Sequence, residues 1–217
     1  MNRKWISFAI AMGLVVSCGP VVTPDVASRT EAATAAAAVP ATSTVADYFG
    51  RMQIVIPPPV CDGSFTPAQT EGPYYTPDTP ERNSLVEPGM HGTHLILVGY
   101  VLNRDCQPLP GAWLDFWQAD ASGTYDNAGF TLRGHQFTDG LGRYYLESVR
   151  PGEYPGRTAH IHVKIQPSGG DILTSQLYFP DVAQNSSDGI FVSSTVVGLE
   201  SRPDGQIAYY NFVLDVP

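Results

Sequence analysis

The chain has 217 residues, 43% of them hydrophobic and 15% charged, with a formal net charge of −9. That length supports one globular domain with extensions rather than two full domains, and the acidic balance without a basic stripe argues against nucleic acid as a partner. With 21 glycines, 19 prolines and many short apolar runs between turn signals, the composition favours an all-β domain over a helical one.

In chain order, residues 1–17 begin with Asn2-Arg3-Lys4, continue through an apolar run from position 5 to 16, and close on Ser17 ahead of Cys18 and Gly19. The run is too short to span a bilayer. A small residue followed by Cys resembles the bacterial lipoprotein signal, with Cys18 as the lipid-bearing first residue of the mature protein. An ordinary secretory peptide with an incidental Cys18 is the alternative. Gly19 after the cysteine, by resemblance to Gram-negative lipoproteins, argues against inner-membrane retention. The expected location is therefore extracytoplasmic, as a cell-envelope lipoprotein or a secreted protein.

Residues 18–59 are rich in Ala, Thr, Val, Ser and Pro, including Pro57-Pro58-Pro59, and read as a disordered tether. Within it, the stretch 48–56 has aromatic and aliphatic residues able to pack onto the domain. Setting Cys18 aside leaves Cys61 and Cys106, which are predicted to pair because disulfides persist outside the cytoplasm. Two buried thiols are the alternative reading.

The domain proper is expected over 60–217 as an antiparallel β-sandwich. Strands are predicted at 93–101, 112–117, 143–149, 160–165, 173–179, 191–197 and 208–214, with turns at 103–110 and 138–142. The fifth segment also carries chemistry. In His160-Ile161-His162-Val163-Lys164-Ile165, residues two apart leave the same face, so both imidazoles can address one metal ion while Ile161, Val163 and Ile165 enter the core. Just upstream, the loop 151–159 presents one aromatic, Tyr154. A second candidate, Tyr125, follows the strand that ends in Trp117-Gln118-Ala119-Asp120. Phenolate oxygens are hard anionic donors that favour ferric over ferrous iron, whereas two histidines alone would suit zinc or copper equally.

Several segments, in order, resemble the intradiol ring-cleavage dioxygenase family. They are Thr66-Pro67-Ala68-Gln69-Thr70-Glu71-Gly72-Pro73-Tyr74-Tyr75, Trp-Gln-Ala-Asp with Gly123-x-Tyr125, Leu132-Arg133-Gly134, Gly142-Arg143-Tyr144, the Tyr154 loop, His160-x-His162 and Thr174-Ser175-Gln176-Leu177-Tyr178-Phe179. The resemblance covers roughly half of the chain and looks like a secreted branch of the family.

It implies a mononuclear non-haem Fe(III) held by Tyr125, Tyr154, His160 and His162. It further implies a catecholic substrate and O2 as partners, Tyr154 as the ligand displaced by substrate, and a cis,cis-muconate-type diacid as product. By motif position Arg157 would steady negative charge on the bound substrate, and Gln176 would lie close to the reacting oxygen. A strand glutamine making core hydrogen bonds is the competing reading of Gln176. Arg133 and Asp139 look like scaffold contacts, and His91, His94 and His135 have no ligand position.

The segment between Tyr154 and His160 is short, which implies an open mouth, and no extended N-terminal helical dimerisation domain precedes the sandwich. No carboxylate-binding residues that would mark protocatechuate as substrate are identifiable. A metal-free sandwich module for binding or assembly, resembling transthyretin or carboxypeptidase accessory domains, is the main alternative, because the turn patterns alone fit it. A homologue that keeps the fold but holds a different metal is a third.

Overall fold

The computed structural model describes residues 44–59 and 61–217. The expected signal peptide, Cys18 and the first part of the tether lie outside the described residues. Nine strands, β1 (His94–Leu102), β2 (Trp113–Gln118), β3 (Arg133–Phe137), β4 (Arg143–Val149), β5 (His160–Gln166), β6 (Leu173–Tyr178), β7 (Gly198–Arg202), β8 (Gly205–Tyr209) and β9 (Phe212–Val213), follow one helix, α1 (Val45–Met52). They build two sheets, one ordered β4-β1-β8-β7 with β9 also on β1, the other ordered β3-β2-β5-β6. Pairing is antiparallel except that β8 and β9 run parallel to β1. The fold is thus the all-β sandwich that the alternating segments predict.

The core fills the space between the sheets. Leu114, Phe116, Ile161, Val163, Ile165 and Leu177 face Leu95, Leu97, Val101, Tyr144, Leu146 and Ala208. Because opposite residues in an antiparallel pair share a face, burying Ile161, Val163 and Ile165 turns His160, His162 and Lys164 to the outside of the four-stranded sheet. The register then lays Arg133, Trp117, His162 and Gln176 in one row across β3, β2, β5 and β6. His160 stands next to that row, opposite Tyr178.

Helix α1 lies within the stretch that composition assigns to the tether, so the packed chain reaches back at least to Thr44. Its start is set by Thr44, whose Oγ1 accepts from Asp47 N at 3.1 Å, the usual satisfaction of a free first-turn amide. Val45, Tyr48 and Phe49 pack with Ile96, Val98, Tyr145 and Ile207 on the outer face of the five-stranded sheet, and Tyr48 stacks on Tyr145 at 3.8 Å. At about 1.5–3 kcal/mol for each fully buried large apolar side chain, these three outweigh the flexibility that an Ala- and Pro-rich neighbourhood suggests. The helix covers the face away from the two histidines.

Several elements differ: β7 is not among the predicted strands, and the segment 208–214 is divided between the end of β8 and β9. Residues 191–197 form a 3-10 turn, Ser193–Thr195, in place of a strand, because the chain crosses there from β6 to the other sheet. Thr195 Oγ1 donates back to Val192 O at 3.1 Å and tightens the bend. Strand β3 is an addition, since Arg-Gly-His-Gln-Phe has no apolar alternation to announce it. Cys61 and Cys106 form a disulfide with Cα atoms 5.8 Å apart, as predicted for the two cysteines left once Cys18 is set aside.

Candidate metal centre

Three segments converge on the outer face of the four-stranded sheet. The turn after β2 carries Tyr125. Asp120 builds it, its Oδ1 accepting from Ser122 N at 2.8 Å and Thr124 N at 2.9 Å. Gly123, at φ 83, lets that turn touch the next loop, since a Cβ there would fall 2.2 Å from Glu153 O.

The loop after β4 carries Tyr154 and Arg157 at the two ends of a tight turn. Arg157 N donates to Tyr154 O at 2.9 Å and Tyr154 N to Arg157 O at 3.2 Å, with Pro155 and Gly156 (φ 81) at the corner, the residue pair a type II turn favours. The third segment, 70–79, lies across the sheet. Its Tyr74 stacks on Tyr125 at 4.4 Å, and Tyr75 donates to the buried Asp115 at 3.0 Å.

Of the sequence-predicted residues, the two histidines and Tyr125 are brought into direct contact. His160 Nε2 lies 3.1 Å from His162 Nε2 and 3.4 Å from the Tyr125 hydroxyl. The Tyr154 ring stands edge-on to Tyr125, with centroids 5.9 Å apart, and 5.7 Å from the His160 ring. His160 Nδ1 is 2.6 Å from Thr158 O; a carbonyl only accepts, so Nδ1 carries the proton and the Nε2 lone pair faces the cluster. His162 is held flat by Trp117, stacked at 4.7 Å and 8°. Gly72 keeps the other side clear, because a Cβ there would sit 3.8 Å from His162 Nε2.

Burial, reinforced by the Arg157 charge, pushes His160 down to about 4. Burial and the neighbouring imidazole hold His162 well below the ordinary histidine value. Both rings are therefore neutral near pH 7, the state that binds a metal. Burial raises Tyr125 and Tyr154 above the ordinary phenol value, so each phenol keeps its proton until a cation draws it off.

Four donors thus converge, two imidazole nitrogens and two phenol oxygens. Among the described residues no group of three or more His, Cys, Asp or Glu side chains offers a competing site. A mixed set of hard oxygen and imidazole donors fits ferric iron, and the His160–Thr158 bond is the outer-shell contact that metal-binding histidines ordinarily make.

Around the donors, Arg157 reaches Gln176 Oε1 with Nη2 at 2.5 Å. Gln176 is fully buried, and its Nε2 donates to Thr70 O at 2.8 Å while Oε1 also accepts from Tyr178 at 3.2 Å. Its amide is therefore committed to the scaffold as well as to Arg157. Arg133 is buried and donates to Asp126 O at 2.7 Å. His94 pairs with Glu147 at 2.9 Å, and His135 faces Thr79 O at 2.7 Å.

Sequence reasoning did not anticipate the contacts of Trp117, Tyr74 and Thr158. Trp117 could have been found from register, since its position in the alternation of β2 puts it on the face of the histidines. An open cleft of about 590 Å3 beside Met90, His91 and Asp120 includes none of the four donors.

Two histidines on one outer strand with two loop tyrosines above them offer donors that a single metal ion could use. Residues 70–216 match the family model described as Dioxygenase. Among solved structures, the chain is 49% identical, with a TM-score of 0.70, to the dioxygenase domain of a dioxygenase carbohydrate-binding protein fusion from the cellulolytic bacterium Streptomyces sp. SirexAA-E, covering 71% of this chain and 100% of that one. Among curated proteins, it is 29% identical to catechol 1,2-dioxygenase of Candida albicans over 55% of this chain and 49% of that protein. It is 28% identical to the protocatechuate 3,4-dioxygenase alpha chain of Pseudomonas putida over 66% and 88%.

The chain belongs to the intradiol ring-cleavage dioxygenase family. It spans about half the length of the first curated relatives it matches.

Proposed function

We propose that this protein is a non-haem Fe(III) dioxygenase that opens catecholic rings between the two hydroxyl-bearing carbons, inserting O2 to give cis,cis-muconate-type diacids. The observation that carries this reading is that His160 Nε2 lies within 3.4 Å of both the Tyr125 hydroxyl and His162 Nε2, with the Tyr154 ring alongside Tyr125. The relatives named catechol 1,2-dioxygenase and protocatechuate 3,4-dioxygenase support the substrate class.

Tyr125, Tyr154, His160 and His162 would hold the iron. Iron held there would supply Lewis-acid chemistry for a catecholic substrate and O2. Tyr154 is half-buried on a loop turn, unlike the strand-borne and fully buried histidines, so it is the ligand free to swing out and accept a proton from a substrate hydroxyl at its phenolate oxygen. Arg157, at the other end of the same turn, places a fixed guanidinium where the bound ring gathers negative charge. His162, packed on Trp117, and His160, bonded to Thr158, keep the remaining geometry constant.

Residues 1–17 are read as a lipoprotein signal peptide and those from Cys18 as a lipidated tether, of which the part from Thr44 packs on the catalytic domain at 60–217. The Cys61–Cys106 disulfide supports an extracytoplasmic location, where such bonds persist. The short Tyr154–His160 segment leaves room for larger catechols.

The test is turnover of catechol under 18O2 by the purified, iron-loaded protein. Both oxygen atoms should enter one ring-opened diacid, and Arg157→Leu should keep iron while slowing turnover by roughly 100-fold. A product with an unopened ring, or one opened beside rather than between the hydroxyls, would contradict the proposal.

A further inference from the structure

The turn bearing Tyr154 and Arg157 is braced from outside the ligand set by residues 183–190, which follow β6. Gln184 Nε2 donates to Tyr154 O at 3.3 Å, and Thr158 Oγ1 donates to Asn185 Oδ1 at 2.6 Å. Asn185 is itself anchored by Nδ2 to Phe179 O at 2.7 Å. At the centre of the brace is Asp188, whose side chain is 1% exposed. Its Oδ2 accepts from Arg157 Nε at 2.9 Å and from Thr158 N at 3.0 Å, and its Oδ1 from Ile190 N at 3.0 Å.

The consequences reach two functional groups. With Nε taken by Asp188, the guanidinium plane is fixed and its Nη2 edge is turned to Gln176 at 2.5 Å. A guanidinium on a flexible stem otherwise spreads over many rotamers, and a charge that must meet a developing anion is useful only where it is held. The amide of Thr158 is fixed by the same carboxylate oxygen, and its carbonyl receives His160 Nδ1–H at 2.6 Å. Asp188 also places a negative charge beside a guanidinium that stands next to a centre built to take a cation, which offsets like-charge repulsion there.

We propose that Asp188 is a positioning residue: it aims the Arg157 guanidinium at the substrate side of the candidate metal centre and, through Thr158, sets the ring of His160. The proposal rests on the reading of Arg157 as the partner of substrate charge. A merely structural anchor would need only acceptors for Thr158 N and Ile190 N; an asparagine keeps one amide oxygen for such contacts but loses the negative charge that holds the Arg157 guanidinium.

The experiment combines 15N NMR of the purified metal-free protein with steady-state turnover of catechol by the iron-loaded protein. In the parent, the Arg157 Nε–H signal, assigned by its loss in Arg157→Leu, should be protected from solvent exchange, and in Asp188→Asn, which keeps an acceptor oxygen but not the charge, that protection should fall at least about tenfold. Iron content of D188N should stay at the parent level. Its kcat should fall roughly tenfold or more with a smaller change in KM, and D188N added to R157L should lower kcat by less than about twofold.

Arg157→Lys, which keeps the charge without the fork, should also lose roughly tenfold in kcat, and it carries the test if D188N does not fold. Protection that persists in D188N, an equal kcat loss in both backgrounds, or parent-like kcat in R157K would overturn the proposal. If R157L itself turns over like the parent while D188N still loses the protected signal, the aiming of Arg157 by Asp188 stands and the reading of Arg157 as charge partner falls.

Discussion

His160 and His162 point their Nε2 atoms at one another across 3.1 Å, although each could have faced away along the strand. Two neutral imidazoles at that separation can share one proton or one metal, and the Thr158 carbonyl settles the His160 lone pair toward the shared point. The nearest phenol, Tyr125, closes the same point at 3.4 Å.

Removing either of two of these groups should therefore remove the metal. Tyr125→Phe and His160→Ala are expected to lower iron occupancy at least tenfold and abolish colour, with the fold kept because the sandwich core lies on the other face of β5. Metal analysis and far-ultraviolet circular dichroism check this together. Parent-like iron in either variant would sink the ligand assignment.

The contact between the Tyr125 turn and the Tyr154 loop rests on Gly123. In Gly123→Ala the new Cβ meets Glu153 O at 2.2 Å, a backbone atom, in a left-handed conformation that costs a further 1–2 kcal/mol or so for a non-glycine residue. The expected loss is about 2–4 kcal/mol in urea melts, with weakened iron binding as the two tyrosines separate. Gly140→Ala, where nothing lies within 4 Å, is the control and should change stability by less than about 0.5 kcal/mol.

Acid should weaken the metal-free protein in a definite window. His160 is held down to about 4 in the folded chain against 6.5 unfolded, by burial and then by Arg157. The unfolded chain therefore binds the proton first. The stabilisation is complete above about pH 6.5 and is lost as pH falls through about 4, an amount on the order of 3 kcal/mol. Urea melts at pH 7 and pH 5 should show the decline, and His160→Gln should remove its share and leave that of His162, which is also held low. A pH-independent parent midpoint would contradict the neutral, buried state of this ring.

The disulfide closes a loop of 45 residues, for which chain entropy gives about 4 kcal/mol. The double change Cys61→Ser with Cys106→Ser should lower the unfolding free energy by about 2–4 kcal/mol. It should leave iron content unaltered, since the bridge ties the chain near Thr66 to the end of β1, away from the histidines. An unchanged urea midpoint would show that the bridge contributes nothing to the folded state.

Much of this architecture is legible in the sequence because alternation has one meaning in a half-buried strand. Ile161, Val163 and Ile165 can only go inward, so His160 and His162 can only go outward, and the same rule puts Trp117 and Gln176 beside them. Strand β3 escaped notice because Gly134 and Gln136 occupy its inward positions, leaving no apolar period to read. Residues 191–197 have the aromatic and β-branched residues of a strand but lie where the chain must change sheets, a tertiary demand that local composition does not carry. Helix α1 is short, and its identity comes from Tyr48 meeting Tyr145, nearly 100 residues away along the chain. Asp188 was invisible for the same reason: a loop aspartate becomes meaningful only when Arg157 and Thr158 are folded against it.

The most direct measurement is a visible spectrum with metal analysis of the purified protein, before and after anaerobic addition of catechol. One ferric iron per chain, with a red-brown tyrosinate-to-iron charge-transfer band that shifts when catechol binds, is the predicted result. A protein that stays colourless and iron-free after ferric reconstitution would contradict the assignment of Tyr125, Tyr154, His160 and His162 as an iron site.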